Sequence, residues 1–308
     1  MTNNKPPLVS IIVPVYNHQK YVSECLTSIL EQDYPCIELI VINDGSTDES
    51  DTIIREYHDS HSKQFTYISK KNEGLIRTLN IGLDRSNGEY FCELASDDIL
   101  LPGSIRKRVE FLGAHPDVGA VFADNYLIKD GIKTTDKFYG GYKSGTGFRS
   151  RIHGVTDLLK KKARYHIPTG MFRTEVLKGL GGFDEDFRDF EDISIRYRLP
   201  LYTNIEFMDE PVMYYRIHTG NVSKTNSLTA LRENILALEK LLYIIDSPDL
   251  ICFVQDKLAR QYLKYLKKDK RIVTDKDEIL RALKKAVSLR PRSLKVRLYH
   301  LLAPYFLK

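Results

Sequence analysis

The feature that most constrains this chain is a nine-residue run, LVSIIVPVY at positions 8–16, apolar and largely β-branched from end to end. A strand with one wet face alternates apolar and polar residues, so a run this continuous fits a strand covered on both faces, as in a parallel sheet. The chain then repeats the theme. Between Gln19 and Gln32, the residues Val22, Leu26, Ile29 and Leu30 fall at helical spacing, and Tyr34 and Pro35 close the segment. A second apolar run spans Ile37–Ile42. Ser46 and Glu49 have the spacing of a capping box, which predicts a helix from about Thr47 toward His58. Next come a short strand at Phe65–Ile68, a helix at Leu75–Leu83 closed by Asn87 and Gly88, and a strand at Glu89–Ala95. A helix at Arg106–Leu112 and a strand at Gly119–Ala123 complete the series. Strands alternating with helices through short turns indicate a doubly wound α/β sheet, Rossmann-like and mostly parallel, over roughly the first 125 residues.

Sheets of this kind bind ligands in the crevice outside the carboxyl ends of their strands. Asn17, Asp44 and the adjacent pair Asp97 and Asp98 all fall at such ends, so three turns can converge on one ligand. The pair suits a hard cation, since Mg²⁺ and Mn²⁺ take one or two protein carboxylates and complete their shell with water and phosphate oxygens. A plain surface turn leading through Pro102 and Gly103 into the next helix is the other reading of the same residues. No G-x-G-x-x-G opens a helix after the first strand and no G-x-x-x-x-G-K-[ST] occurs, which argues against dehydrogenase and P-loop chemistry. Gly145-Thr146-Gly147 reads as a loop rather than a phosphate cradle.

Beyond residue 125 the pattern loosens. Residues 129–154, with six glycines, read as a mobile loop of the kind that shapes an acceptor site. From about Ser227 the chain turns helical, with one apolar stripe through Leu228, Leu231, Ile235, Leu238, Leu241 and Leu242. A second stripe, Leu294, Leu298, Leu301, Leu302 and Tyr305, lies beside basic residues and fits either a membrane interface or docking on the preceding domain. Charge is split along the chain. Residues 257–308 hold 16 Lys and Arg against 4 Asp and Glu, although the whole chain carries only +5. Such a tail suits anionic lipid or a lipid pyrophosphate, with a solvated helix face as the plain alternative; no nucleic-acid partner is expected. The four cysteines (Cys25, Cys36, Cys92, Cys252) show no CxxC spacing and read as buried reduced thiols. With no apolar stretch of about 20 residues and no h-region at the N-terminus, the expected location is cytoplasmic, with peripheral contact at the inner membrane face.

Several ordered blocks now combine: VSIIVPVYN at 9–17, INDGSTD at 42–48, NEG at 72–74, ASDD at 95–98, GGFDE at 181–185, ED at 191–192 and YRIH at 215–218. Together they resemble glycosyltransferase family 2, the inverting, nucleotide-sugar-dependent transferases of GT-A fold, over roughly residues 8–225. The resemblance implies a GT-A domain at 1–225, with a nucleotide-binding part at about 8–125 and an acceptor part at about 126–225. A basic helical region at 226–308 follows it. Many members have Asp where this chain has Ala95, so metal binding is expected to rest on Asp97 and Asp98.

The resemblance also implies roles. Pro14, Tyr16, Asn17, Asp44, Arg77, Asp97 and Arg216 would line the nucleotide-sugar site. Tyr16 offers an aromatic face to a pyrimidine, and Asp44 an acceptor for a ring N–H, which favours uracil. Core packing and an Asx turn are the structural alternatives for these two. Asp98 would be the direct ligand of Mn²⁺ or Mg²⁺, with Asp97 and His218 completing the site and Arg216 countering leaving-group charge. Inverting transfer needs a base on the acceptor hydroxyl. Asp192 is that candidate, with apolar neighbours to raise its pKa, and Glu191 is its understudy; the alternative for both is the acidic first turn of a helix. The activity so implied is sugar transfer from a nucleotide sugar, a UDP sugar in the first instance, to a glycan or polyprenyl-pyrophosphate-linked acceptor of bacterial O-antigen or capsule assembly. The rivals are a sugar nucleotidyltransferase, which lacks its glycine-rich basic loop here, and an inactive glycan- or lipid-binding protein.

Overall fold

In the computed structural model, residues 5–61, 64–138, 151–159, 166–187, 190–221, 227–268, 281, 284–285 and 287–289 are described. Among them the chain divides into two compact units, residues 1–154 with 163–221, and residues 155–162 with 222–308.

The first unit is a nine-stranded mixed sheet with helices between its strands. Its leading half runs β1 (Val9–Val15), α1 (Val22–Leu30), β2 (Ile37–Asp44), α2 (Ser50–Ser60), β3 (Thr66–Lys70), α3 (Leu75–Arg85) and β4 (Tyr90–Glu93). These four strands are all parallel, in the order β3-β2-β1-β4. In β1, Val9, Ile11, Ile12 and Val13 are fully buried, on both faces, as the unbroken apolar run requires. Burying each such side chain contributes about 1.5–3 kcal/mol. α3 lies directly on β1 because Gly82 has no side chain: a Cβ there would sit 2.5 Å from Ile12 Cγ2.

The second half adds β5 (Ile99–Leu100), α4 (Ser104–Ala114), β6 (Val118–Lys129), β7 (Ile132–Lys137), a 3-10 turn (Ile167–Thr169), β8 (Met171–Arg173), α6 (Thr174–Gly179), α7 (Glu191–Arg196), α8 (Leu199–Tyr202) and β9 (Asn204–Ile217); α5 (Arg151–Leu159) follows β7 in the chain, and its residues from Val155 belong to the second unit. β8 joins the halves, antiparallel to both β4 and β6, while β9 lies parallel to β6 and antiparallel to β5. The GT-A-like α/β architecture expected from the sequence is present.

Three local expectations need correction. The Ser46–Glu49 capping box does not form: α2 starts at Ser50, and the Ser46 hydroxyl instead accepts the Asn17 N–H at 3.0 Å. The expected loop at 129–154 begins as a hairpin. Asp130 and Gly131 both have positive φ, 51° and 79°, and join β6 to β7 in a two-residue turn. Residues 151–154 open α5, while 139–150, including Gly145-Thr146-Gly147, lie outside the described residues. Of the cysteines, Cys25 and Cys92 are buried, but Cys36 is half-buried and Cys252 exposed; all four are free thiols.

The second unit contains α9 (Ser227–Ile244) and α10 (Pro248–Lys268). Ile235, Leu238 and Leu241 of α9 and Leu250, Val254 and Leu258 of α10 are buried. Tyr262 donates to Glu239 at 2.6 Å, and Arg232 donates to the Tyr265 hydroxyl at 2.8 Å, fastening the pair. The stripe from Leu294 to Tyr305 lies outside the described residues. No helix among the described residues is long and apolar enough to cross a membrane.

Candidate active site

Parallel register places the site. β1 and β4 pair side by side, Ile12 opposite Glu93, so the turns after them, at 16–18 and 94–98, leave the same edge of the sheet. β5 then pairs antiparallel with the end of β9, Ile99 opposite Tyr214, which brings Arg216 and His218 against the Asp pair from the far end of the chain. The sequence-predicted residues Asp97, Asp98, Arg216 and His218 are thereby assembled in one cluster.

Within it, His218 and Asp97 meet at 2.8 Å, Nε2 to Oδ2. The Gly220 N–H donates to His218 Nδ1 at 3.1 Å. Asn221 braces the turn, accepting the His218 N–H at 2.6 Å and donating to the Arg216 carbonyl at 3.1 Å. Burial opposes the Asp97 charge, but the His218 hydrogen bond and the nearby His18 ring outweigh it and hold the carboxyl below its ordinary range. Asp98 is 1% exposed; burial first, and then the Asp97 charge, push its carboxyl well above the ordinary range. Its Oδ1 accepts the Arg216 N–H at 2.8 Å, while its Oδ2 has no hydrogen-bond partner. An orphaned, fully buried carboxyl oxygen beside a charged one is costly in a protein without a ligand.

His18, which the sequence reading passed over, completes the cluster. One ligand atom from each of His18, Asp97 and His218 lies within 4.8 Å of the others. Burial lowers the His18 pKa, the His218 ring lowers it further, and the Asp97 charge partly offsets this. A nitrogen-and-carboxylate set of this kind, next to the orphaned Asp98 oxygen, fits a divalent cation. The structure brings Asp97, more than Asp98, to the histidines.

Arg216 is largely committed to the protein. Its Nε donates to the Asp97 carbonyl at 2.8 Å, its Nη2 reaches Glu24 at 2.5 Å, and its guanidinium stacks 5.0 Å from the Tyr21 ring. It therefore acts first as a strut between β9 and the Asp turn.

The remaining predicted nucleotide contacts flank this cluster. Tyr16 is 47% exposed just beyond the carboxyl end of β1. Pro14 stays in the strand, half-buried. Asn17 adopts a left-handed φ of 55°, and its Oδ1 accepts the Thr47 N–H at 2.8 Å. Asp44 is buried and ion-paired with Lys70, and it accepts the N–H groups of Glu73 and Gly74 at 2.9 and 2.8 Å. That carboxylate already closes the 70–74 turn. Gly45, with φ 69°, permits the turn because a Cβ would press on the Asn72 nitrogen at 2.6 Å. Arg77 is 53% exposed and paired with Glu73 at 2.9 Å and Glu185 at 3.3 Å. Asn80 ties the GGFDE block to α3, exchanging hydrogen bonds of 2.8 and 2.9 Å with the Phe183 backbone.

Glu191 and Asp192 occupy the first turn of α7. Asp192 is ion-paired with Arg196 on the same helix, so it does not sit in the purely apolar surroundings expected of it. Burial, and then the Glu191 charge, raise the Glu93 carboxyl well above its ordinary range, so Glu93 at the end of β4 and Glu191 are electrostatically linked. His166 is a second residue the sequence reading missed. Burial first, and then Arg196, push it down to about 4 against the opposing charge of Asp97, so it feels both the α7 helix and the acidic cluster. Its ring packs against Phe138 and Tyr215, and its Nδ1 has no hydrogen-bond partner. Neither histidine belongs to a local motif; only the long-range register reveals them.

The chain is similar to known proteins in sequence and in fold. An uncharacterized glycosyltransferase of Rickettsia typhi is 31% identical over 241 residues, covering 75% of this chain and 70% of the relative. Another from Haemophilus influenzae is 40% identical over 220 residues, covering 70% and 68%. Among solved structures, Staphylococcus aureus TarS 1–349 in complex with UDP-GlcNAc superposes with a TM-score of 0.67 at 18% identity, covering 97% of this chain and 87% of that one. The mannosyltransferase PcManGT of Pyrobaculum calidifontis, in complex with GDP-Man and Mn²⁺, gives 0.58 at 20% identity, covering 98% and 85%. These two likenesses establish the fold. Residues 10–178 match the profile of Glycosyl transferase family 2, and with relatives of this identity and coverage the chain belongs to that family.

Proposed function

We propose that the protein transfers a sugar from a nucleotide sugar, a UDP sugar in the first instance, with inversion, to a hydroxyl of a glycan acceptor. A divalent metal assists. The observation that carries this reading is the His18, Asp97 and His218 cluster beside the orphaned Asp98 oxygen, at the shared carboxyl edge of β1 and β4. Mn²⁺ or Mg²⁺ held there would supply charge stabilisation for a departing diphosphate. Tyr16 offers the face for the base, and the Asp44-closed turn forms the adjoining wall. The acceptor hydroxyl attacks the anomeric carbon as its proton passes to a carboxylate, for which Asp192 is the candidate; the bond from the anomeric carbon to the diphosphate oxygen breaks on the opposite side. Arg196 fixes the Asp192 carboxylate in position for that transfer.

The known proteins support the donor class: TarS was solved with UDP-GlcNAc and PcManGT with GDP-Man and Mn²⁺. The basic tail supports an acceptor linked to a polyprenyl pyrophosphate at an anionic membrane surface, in O-antigen or capsule assembly. On this reading the catalytic domain ends near residue 225. The test is thermal unfolding against a panel of nucleotides and nucleotide sugars, with and without MnCl₂, in wild type and Asp97→Asn. Ligand at 100 times its dissociation constant adds about 2.7 kcal/mol. A Mn²⁺-dependent shift with a UDP sugar, lost in the variant, is expected; no shift with any nucleotide in folded protein overturns the donor reading.

A further inference from the structure

We infer that Phe138, His166, Tyr215 and Asn125 form the subsite for the acceptor's sugar ring, a pyranose laid against the aromatic side chains with its hydroxyls on His166 Nδ1 and Asn125 Oδ1. The inference rests on the transferase reading above and deepens it by naming residues that select the acceptor.

Three rings from three separate segments meet here. Phe138 follows β7, His166 precedes the 3-10 turn that leads into β8, and Tyr215 lies near the end of β9. The His166 and Tyr215 rings stand edge-on with centroids 5.2 Å apart, Phe138 and Tyr215 are 5.7 Å apart, and Phe138 lies 6.1 Å from His166 at an inclination of 29°. Their backbones are tied down. The His166 carbonyl accepts the Thr169 N–H at 3.0 Å and the Thr169 hydroxyl at 2.7 Å, and the Phe138 N–H donates to the Asn125 carbonyl at 2.9 Å. Phe138 nevertheless keeps 44% of its surface exposed.

Two buried polar atoms beside these rings, His166 Nδ1 and Asn125 Oδ1, have no hydrogen-bond partner among the described residues. Asn125 pairs with Met213, and Leu127 with Tyr215, in regular parallel register, so Asn125 and Tyr215 share one face of the sheet. Buried polar atoms are nearly always paired, and a few orphaned ones around exposed aromatic surface are the marks of a ligand site. A hydroxyl both donates and accepts, so it satisfies the Asn125 oxygen and either tautomer of a neutral imidazole. His166 is neutral at pH 7, since burial holds it down to about 4. A pyranose carries such hydroxyls around a C–H face that packs on an aromatic ring. A prenyl chain would leave both polar atoms unpaired, and a phosphate would meet the Asp97 charge that already acts on His166. The location suits an acceptor. Tyr215 immediately precedes Arg216, whose N–H and Nε donate to Asp98 and to the Asp97 carbonyl, so the rings adjoin the edge proposed for the diphosphate. They do so from the β6 and β9 side of the sheet, away from the β1 and β2 side that carries Tyr16 and Asp44.

The test uses the full chain with MnCl₂ and UDP, and a panel of methyl pyranosides as probes. The chain has no tryptophan, so Phe138→Trp places a single fluorescent reporter at the subsite. Saturation-transfer NMR on the wild type and emission titration of Phe138→Trp are expected to show saturable binding of at least one glycoside. His166→Phe keeps a packed ring but removes the orphaned nitrogen, and it should weaken that binding about three- to tenfold, as for one lost hydrogen bond. Phe138→Ala, at an exposed position, should weaken it about tenfold or more, whereas Phe138→Trp retains it. The UDP-induced thermal shift should be unchanged in all three variants. Glycoside binding that is absent from the wild type, or unaltered in both His166→Phe and Phe138→Ala, overturns the inference, while an intact UDP shift leaves the donor reading standing. A glycoside that binds beside UDP but is displaced by UDP-GlcNAc gives the rings to the donor sugar and overturns the inference as well. Saturable glycoside binding without any nucleotide-induced shift supports the subsite and overturns the donor reading.

Discussion

The sheet edge at Asp97 and the first turn of α7 carry the two halves of the proposed chemistry, and they are built in opposite ways. At the sheet edge, polar groups from the turn between β4 and β5 and from the end of β9 bind one another across more than 100 residues of sequence: Asp97 to His218, Asp98 and Asp97 to Arg216. At α7, Asp192 is held by Arg196, one turn along the same short helix. The first arrangement is rigid because displacing any member disturbs several strands. The second is fixed locally, so its acids can shift with their helix. A donor and a metal call for preorganised charge, which the braced edge supplies.

The largest expected effect tests the α7 side. Asp192→Asn should lower kcat by about 10²–10⁴-fold, the range for loss of a general base. The nucleotide- and Mn²⁺-dependent thermal shift should persist, because the sheet edge is untouched. A larger loss in Glu191→Gln than in Asp192→Asn would move the base to Glu191.

A second measurement sharpens the link between the two regions through His166. Its imidazole is held down to about 4 in the fold, below the 6.5 of an unhindered ring. Between those values the unfolded chain binds a proton that the folded chain refuses, so stability rises with pH across the window and is lost as pH falls from about 6.5 toward 4. The full difference is on the order of 3 kcal/mol. Urea unfolding at pH 7 and pH 5 should show this loss in wild type and a smaller one in His166→Phe; equal pH sensitivity in both would show that the ring is not held neutral.

The smallest effect concerns Arg77, which bridges Glu73 and Glu185 on the surface. Arg77→Ala should cost less than about 1 kcal/mol of stability, since exposed ion pairs contribute little. Any marked loss of nucleotide-induced thermal shift in that variant would then report a contact with ligand rather than a structural role.

Much of the parallel half was legible because burial on both faces leaves an unmistakable run, as in β1. The turns were less so. Ser46 and Glu49 look like a capping box in isolation, yet the Asn17 N–H takes the Ser46 hydroxyl. The Asp130-Gly131 hairpin did carry a local signal, a two-residue turn dipeptide between paired strands, which the glycine-rich surroundings obscured. Asp44 was chosen for its place at a strand end; that its oxygens close the 70–74 turn depends on residues 26 to 30 positions away.

The sequence by itself determined the doubly wound sheet of the leading half, its family and the strand ends that carry Asn17, Asp44, Asp97 and Asp98, because hydrophobic period and ordered blocks are local properties of the chain. Only the tertiary structure decided which acid faces the histidines, that Arg216 is a strut, and that His18 and His166 belong to the site. Those facts depend on strand register and packing between residues far apart in sequence, and no local pattern encodes them.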